Sequence, residues 1–198
     1  MSAATVTTFE PELRWGPSAR GRLGMYYLIV AEAAIFSIFV VAYLFYLGKS
    51  LSGPTPQQVL HVPVFFTICL LSSSVTIHLA VRSLRKAKPG AFARWWFLTL
   101  FLGATFLAGT MIEWRHLIYD EGLTIQTNLF GTTYYSLVGL HAFHVLMGLL
   151  ALSIVWLFAM FGKVKSEHAE RVDTLALYWH FVDTVWVVVF LVVYVIGR

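Results

Sequence analysis

Seven ionisable residues lie inside apolar stretches of the 198-residue chain, and these are the side chains that could do chemistry. They are Glu32, His78, Glu113, His141, His144, His180 and Asp183. Placing such a group in lipid costs at least ~2.5 kcal/mol, so each is expected to face protein. Two spacings add geometry. His141 with His144, and His180 with Asp183, are three residues apart and so share a helix face.

Three kinds of chemistry fit this set. Imidazole is a common ligand of iron and copper, so a haem or metal site would draw on the histidines. Those histidines are His78, His141, His144 and His180. Against a haem, axial ligands should face each other at one depth, and His141 and His180 differ by several residues in depth. As relay carboxylates, Glu32 and Asp183 would instead indicate a proton conductor or transporter. Mutual pairing would simply hold the helices together. Residue types alone leave all three open.

The composition defines the elements that must position these residues. Of the chain, 59% is apolar and 12% is charged, with a mean hydropathy of +0.75, whereas soluble domains carry about 25% charge. A membrane span needs about 20 apolar residues. We predict five spans, at residues 25–47, 62–84, 92–117, 129–161 and 175–196. The expected fold class is all-α, a polytopic membrane bundle of five transmembrane helices after a polar segment, residues 1–24.

The basic residues predict how the bundle is oriented. Eleven of the fourteen Lys and Arg residues fall on one side of the five predicted spans, and only Lys49, Arg115 and Arg198 fall on the other. Short cytoplasmic loops hold the basic excess, so we predict a cytoplasmic N-terminus and an outside C-terminus. The net charge of +4 then reflects topology, and no nucleic-acid partner is expected. Cys69, the single cysteine, excludes an intramolecular disulfide and a cysteine metal site.

Depth along the predicted spans groups some of the ionisable residues. At 1.5 Å per residue, four of them share a band roughly 8–12 Å below the cytoplasmic surface. These four are Glu32, His78, His180 and Asp183. By the same arithmetic His144 lies near mid-membrane and Glu113 near the outer end of the third span. Groups at one depth are expected to pair across helices.

Aromatic and small residues have simpler interpretations. Aromatic residues near the span ends are expected to form interfacial belts. They include Tyr26, Tyr27, Trp95, Trp96, Trp114, Tyr119, Tyr134, Tyr135, Tyr178 and Trp179. Small residues inside the spans are expected to mark close helix contacts. They include Gly103, Ala104, Ala108, Gly109, Gly139 and Gly148. The serines at 72–74 are expected to bond to their own helix or across to a neighbour.

Four segments, in order along the chain, carry a family pattern. Residues 31–36 surround Glu32, and residues 112–114 contain Glu113 and a following tryptophan. Residues 130–148 hold both His141 and His144, and residues 178–186 read Tyr-Trp-His-Phe-Val-Asp-Thr-Val-Trp. These segments resemble the carboxylate helix, the Glu–aromatic pair and the last two helices of subunit III of haem-copper oxidases. The resemblance covers roughly residues 22–197.

The resemblance implies a five-helix form of that subunit, without the two N-terminal helices of the seven-helix form. It implies a non-catalytic subunit of a cytochrome c oxidase in the bacterial inner membrane. Such a subunit packs on subunit I, stabilises the complex and supports proton uptake during aerobic respiration. Further implied partners are subunit II, a subunit IV and membrane phospholipid, with cytochrome c reached only through the complex. Haem and copper belong to subunits I and II, so no redox centre or metal is expected in this chain.

The resemblance also gives roles to the seven ionisable residues. It implies that Glu32 is the family's carbodiimide-reactive carboxylate, a reaction that needs a protonated acid in apolar surroundings. Burial favours the neutral acid, so we expect Glu32 to be mostly neutral and hydrogen-bonded to His78 or His144. The other residues of the set are expected to form interhelical hydrogen bonds.

Two other functions stay open at this point. The same fold could serve a quinol oxidase or a nitric-oxide-reductase accessory protein. A different class would be a stand-alone haem-bearing quinone oxidoreductase of the membrane.

Overall fold

The computed structural model describes residues 17–50 and 53–197, and this part of the chain is helical without a strand. Residues 1–16, most of the predicted polar segment, lie outside the described residues, as does Arg198. The helices are α1 (Pro17–Tyr46), α2 (Pro56–Val59), α3 (Val64–Arg85), α4 (Pro89–Tyr119), α5 (Leu129–Met160) and α6 (Ala169–Phe190). A 3-10 turn, Ser166–His168, precedes α6, and a π-helical turn, Leu191–Ile196, continues it.

Five helices are long and apolar enough to cross a membrane, namely α1 and α3 to α6. The prediction of an all-α chain with five such helices is confirmed. Three predicted starts were too late: α1 begins at Pro17 rather than at residue 25, α4 at Pro89 rather than 92, and α6 at Ala169 rather than 175. The first turns of these three helices contain charged residues or a proline. A prediction that rests on apolar runs therefore leaves them out. Proline is favoured at the first helical position because its missing N–H has no partner there anyway. The orientation across the membrane stays a prediction.

The last two helices are central to the packing. α6 contacts α1, α3 and α5, while α3 and α4 form an antiparallel hairpin and α4 also packs on α5. α1 is the least enclosed of the five long helices, because most of its apolar residues are exposed. α5 also contacts three long helices, namely α1, α4 and α6, so the core forms around α5 and α6, and α1 lies on the outside.

Three tryptophans occupy the interior of the bundle. Trp96, Trp179 and Trp186 are fully buried, and each indole N–H has an acceptor. The acceptors are the carbonyl of Leu152 at 2.8 Å, Ser73 Oγ at 2.8 Å and Thr67 Oγ1 at 3.2 Å, respectively. Tyr134 is also fully buried. The prediction that Trp96, Trp179 and Tyr134 belong to an interfacial belt is therefore wrong, because these side chains face the interior of the bundle. Exposed Tyr26, Tyr27 and Tyr119 are consistent with that belt.

Two glycines make room for one of these rings. A Cβ added at Gly103 of α4 or at Gly148 of α5 would lie 2.9 Å or 2.8 Å from the Trp179 ring. The prediction that these small residues mark close helix contacts is confirmed. Ala104 and Ala108 instead lie on the exposed side of α4, so that prediction is wrong for them.

A shared carboxylate joins three helices at one end of the bundle. Asp173 Oδ2 of α6 is 3.0 Å from Arg22 of α1 and 3.0 Å from Arg85 of α3. The contact of Arg22 explains why helix α1 begins before its apolar run, which starts at residue 25. The polar first turns of α1 have a partner on α6.

Gly148→Ala should destabilise the protein relative to the matched change Gly139→Ala. Both substitutions raise helix propensity equally, but a Cβ at Gly139 would meet only Trp114, at an ordinary 3.5 Å. The Trp179 ring cannot move away from a new methyl group on α5, because it already packs closely against Gly103 of α4. We expect an overpacking cost of about 1–3 kcal/mol for Gly148→Ala alone, measured by thermal unfolding in detergent. Equal unfolding midpoints for the two variants would contradict this packing.

Candidate functional site

An acid and an imidazole join the outermost helix to the bundle. Glu32 Oε2 of α1 lies 3.0 Å from His144 Nε2 of α5. Their side chains are 22% and 8% exposed, so the pair is largely shielded. Of the two partners expected for Glu32, the structure selects His144 and not His78.

The proton positions within this pair follow from its neighbours. His144 Nδ1 is 2.7 Å from the carbonyl oxygen of Leu140, which can only accept, so Nδ1 carries a hydrogen and donates it. The remaining contact, between Nε2 and Glu32, then holds a single proton. Either Glu32 is protonated and donates to Nε2, or the imidazole is charged and donates to a carboxylate. The distance fits both arrangements, so the protonated Glu32 expected from the resemblance stays a prediction.

A second polar cluster joins α3 to α6. Ser74 Oγ donates a hydrogen bond to Asp183 Oδ2 and lies 3.0 Å from His180 Nδ1. A hydroxyl has one proton and can accept others, so while Ser74 donates to Asp183 it accepts from the imidazole. Asp183 is only 3% exposed, and its Oδ1 has no hydrogen-bond partner in the described part of the chain. The serine thus connects a half-buried ring to a buried carboxyl.

A third cluster lies toward the other end of α6. Tyr194, in the π-helical turn, donates to the carboxyl of Glu113 on α4, at 2.8 Å from Oε1 and 3.0 Å from Oε2. The Tyr134 hydroxyl of α5 is 3.4 Å from that of Tyr194. Glu113 therefore forms an interhelical hydrogen bond, which is what the resemblance implied for it.

His141 has apolar rather than polar partners. It is fully buried and stacks on Trp186, with ring centroids 5.0 Å apart and planes at 29°. The rings of Phe106 and Phe36 approach it edge-on at 5.8 Å and 6.5 Å. Neither ring nitrogen has a hydrogen-bond partner among residues 17–50 and 53–197. The expected interhelical hydrogen bond of His141 is therefore absent, and aromatic packing holds the ring.

His78 belongs to none of the three hydrogen-bonded clusters, although it lies one turn of α3 after Ser74 and close enough to His180 for their charges to interact. It is exposed on α3, and its side chain forms no hydrogen bond or ion pair with any described residue. The four intramembrane histidines thus have different surroundings. Within the described ranges, no group of three or more His, Cys, Asp or Glu side chains is placed to hold a metal ion.

Three hydroxyl residues of these clusters, Ser74, Tyr134 and Tyr194, were not among the expected site residues. Ser74 belongs to the serine run at 72–74, for which a bond across helices was one of two expectations. Tyr194 is 81 residues from Glu113 and lies in an apolar segment. No local spacing signals such a partner.

The fold and its buried polar pairs define a multi-pass α-helical membrane protein whose spans are joined by side-chain hydrogen bonds. The family model described as cytochrome c oxidase subunit III matches residues 17–198. The chain belongs to that family. It is a haem-copper oxidase subunit III and, as such, part of an oxidoreductase complex.

Individual relatives agree with the family model. The cytochrome c oxidase subunit 3 of Synechocystis sp. is 38% identical over 177 residues, which is 87% of this chain and 74% of the relative. That of Alkalihalophilus pseudofirmus is 33% identical, covering 88% and 86%. The cytochrome bo(3) ubiquinol oxidase subunit 3 of Pseudomonas aeruginosa is 31% identical, covering 88% and 84%.

Ser74→Ala should weaken the contact between α3 and α6, whereas Ser72→Ala should not. The first change leaves the buried Asp183 carboxyl without its donor, at a cost of about 1–3 kcal/mol. Ser72 is half-buried, and its side chain has no hydrogen-bond partner among the described residues. Ser72→Ala therefore controls for the removal of a serine hydroxyl from the same helix. Thermal unfolding of the purified protein measures both. An unfolding midpoint for Ser74→Ala that equals that of Ser72→Ala would show that the cluster contributes no stability.

Proposed function

We propose that this chain is the non-catalytic subunit III of a bacterial cytochrome c oxidase of the inner membrane. It packs on subunit I, stabilises the complex and supports proton uptake. The observation that carries the proposal is the family match over residues 17–198, which spans all five long helices. Haem and copper then reside in subunits I and II, and cytochrome c acts on the complex without touching this chain.

The exposed histidine of α3 supports packing on a partner subunit. His78 lies seven residues before Arg85, the last residue of α3, about 10 Å along the helix axis. Arg82 can extend its long side chain toward the membrane surface, but the short imidazole of His78 reaches less far. Val75 on the same face is 61% exposed. A partner helix that offers His78 an acceptor would remove its cost in lipid, and we assign that helix to subunit I.

The cluster of Ser74, His180 and Asp183 supports a role in proton uptake. It forms a hydrogen-bonded chain from a half-buried imidazole to a buried carboxyl, and each member can take or release a proton. His180 lies two turns of α6 from Asp173, the carboxylate shared by two arginines at the basic end of the bundle. In the proposed role the cluster holds protons close to subunit I. Proton delivery to subunit I then stays fast during turnover.

A second candidate is the same role in a quinol oxidase, which the Pseudomonas aeruginosa relative favours. The other two relatives described above, at 38% and 33% identity, are named for cytochrome c oxidase. We therefore put cytochrome c first. Copper analysis of the subunit II that co-purifies in mild detergent separates the two, because a copper-binding subunit II favours cytochrome c as donor.

Removal of the chain from the complex should spare the redox centres and shorten the working life of the enzyme. We expect the haem absorbance spectrum of subunit I to be unchanged per mole of enzyme, while activity decays faster during continuous turnover. Re-expression of the wild-type chain serves as the control. If no oxidase assembles in the deletion strain, assembly is the main role and the proposed support of proton uptake fails.

Carbodiimide should label Glu32 before Glu113 in the intact complex. Glu32 lies on the least enclosed helix with 22% of its side chain exposed, and the neutral form of its pair with His144 offers a protonated acid, whereas the carboxyl of Glu113 accepts the hydroxyl hydrogen of Tyr194. Mass spectrometry of peptides after brief treatment measures the order of labelling. Glu32→Gln should abolish the early label. Labelling of every carboxyl group except Glu32 would contradict a protonated, lipid-accessible acid at this position.

A further inference from the structure

Two histidines outside the clusters described above lie next to each other at one end of the hairpin of α3 and α4. His61 is in the short linker before α3, and His116 is in the last turn of α4. Their ring centroids are 6.3 Å apart, with the ring planes at 79°. The turn that joins α3 to α4 is at the other end of this hairpin. The two imidazoles, which we call the histidine pair, therefore lie where the hairpin is open.

The histidine pair lines one cavity, whose volume is about 270 Å³. The other lining residues are mostly apolar and include Val62, Phe66 and Ile112. Both histidines are exposed, so a dissolved ion can reach their rings. The cavity thus presents two imidazoles at a helix end, against an apolar wall that offers them no competing hydrogen-bond partner.

The backbone beside each histidine is held in place by the core. Leu60, directly before His61, and Leu117, directly after His116, are each only 1% exposed. The carbonyl of Leu117 also accepts a hydrogen bond from the Leu123 N–H at 2.8 Å. The two imidazoles are therefore presented from fixed backbones, and an ion that binds both of them has little chain freedom to remove.

The distance between the rings is close to that of two imidazoles on one metal ion. An imidazole nitrogen lies about 2.1 Å from a bound zinc ion, which places the centroids of two rings on the same ion roughly 5–6 Å apart. The observed 6.3 Å is only slightly longer. Because both side chains are exposed, a small rotation about their side-chain bonds is enough to close the difference.

The donor atoms select a class of ion. Neutral imidazole suits zinc, copper and nickel, whereas magnesium and calcium take oxygen ligands. Glu113 also lines the cavity, but its carboxyl accepts the hydroxyl hydrogen of Tyr194. As noted above, the described residues hold no group of three or more metal-ligating side chains. A metal ion at this place would therefore have two protein ligands, with water in its other positions.

We propose that His61 and His116 together bind one divalent transition-metal ion of the zinc class. The bound ion connects the linker before α3 to the last turn of α4 and so closes the open end of the hairpin. Both ligands belong to this chain, and the site does not depend on the proposed role in proton uptake.

The test measures zinc binding by intact oxidase complexes that have been washed with a chelator and then dialysed against zinc chloride. His61→Gln and His116→Gln each remove one ligand. His168→Gln is the matched control, because it removes a histidine near the opposite end of the bundle, where the ring lies 3.8 Å from Glu167. Metal analysis gives the zinc bound per complex. Hydrogen exchange followed by mass spectrometry reports protection of residues 60–63 and 113–119.

We expect wild type and His168→Gln to bind one zinc ion more than either ligand variant. The second imidazole binds an ion that the first already holds, so the loss of one ligand should weaken zinc binding by about 100-fold. Zinc should slow hydrogen exchange in both segments of wild type and in neither segment of the ligand variants.

A second measurement needs no substitution and so stands even if a variant fails to assemble. Diethyl pyrocarbonate acylates accessible neutral histidines, and mass spectrometry locates the modified residues. In the wild-type complex, zinc should shield both His61 and His116 from the reagent and leave the reactivity of His168 unchanged.

Three results would overturn the proposal. Equal zinc binding by wild type and both ligand variants would exclude the histidine pair as the site. A loss of zinc in only one of the two variants would exclude a site shared by both rings. Equal protection by magnesium chloride would show a general effect of charge rather than binding by imidazole.

Discussion

Polar groups that are buried in this bundle gain most from a partner on another part of the protein, because hydrocarbon offers none. α6 shows how far this constraint determines the packing. Asp173 binds arginines of α1 and α3, Asp183 receives a hydrogen bond from α3, and Tyr194 donates to α4. These contacts lie at three levels along one helix. A rotation of α6 about its axis would break all of them together.

Tryptophan burial follows from the same constraint. The large ring of Trp179 fits only because Gly103 and Gly148 leave space on two neighbouring helices. Its N–H then needs an acceptor, which Ser73 supplies. Shape and hydrogen bonding therefore act on the same residue. In lipid, burial of apolar area distinguishes little between alternative contacts of two apolar helices. The ring of Trp179 together with its hydrogen bond makes one of these contacts specific.

The helices could be predicted from apolar run lengths, but the faces that meet could not. In a soluble helix, polar residues mark the side away from the core. In a membrane helix, both the lipid side and the core side are apolar, so buried Trp96 and exposed Trp95 look alike in the sequence. Of the site, the contact of Glu32 with His144 was within reach, because two ionisable groups in lipid need each other. Tyr194 was not, because a hydroxyl within an apolar run has no periodicity that points to Glu113.

The contact between Glu32 and His144 has a consequence for how the chain is made. The two residues are 112 positions apart, and Arg22 is 151 positions from Asp173. At 5–20 residues per second of synthesis, α1 waits on the order of ten seconds before either partner emerges from the ribosome. During that interval its acidic residue has no counterpart within the chain. Helix α1 is therefore made before the other four long helices, yet it gains these two polar contacts only after α5 and α6 have been made.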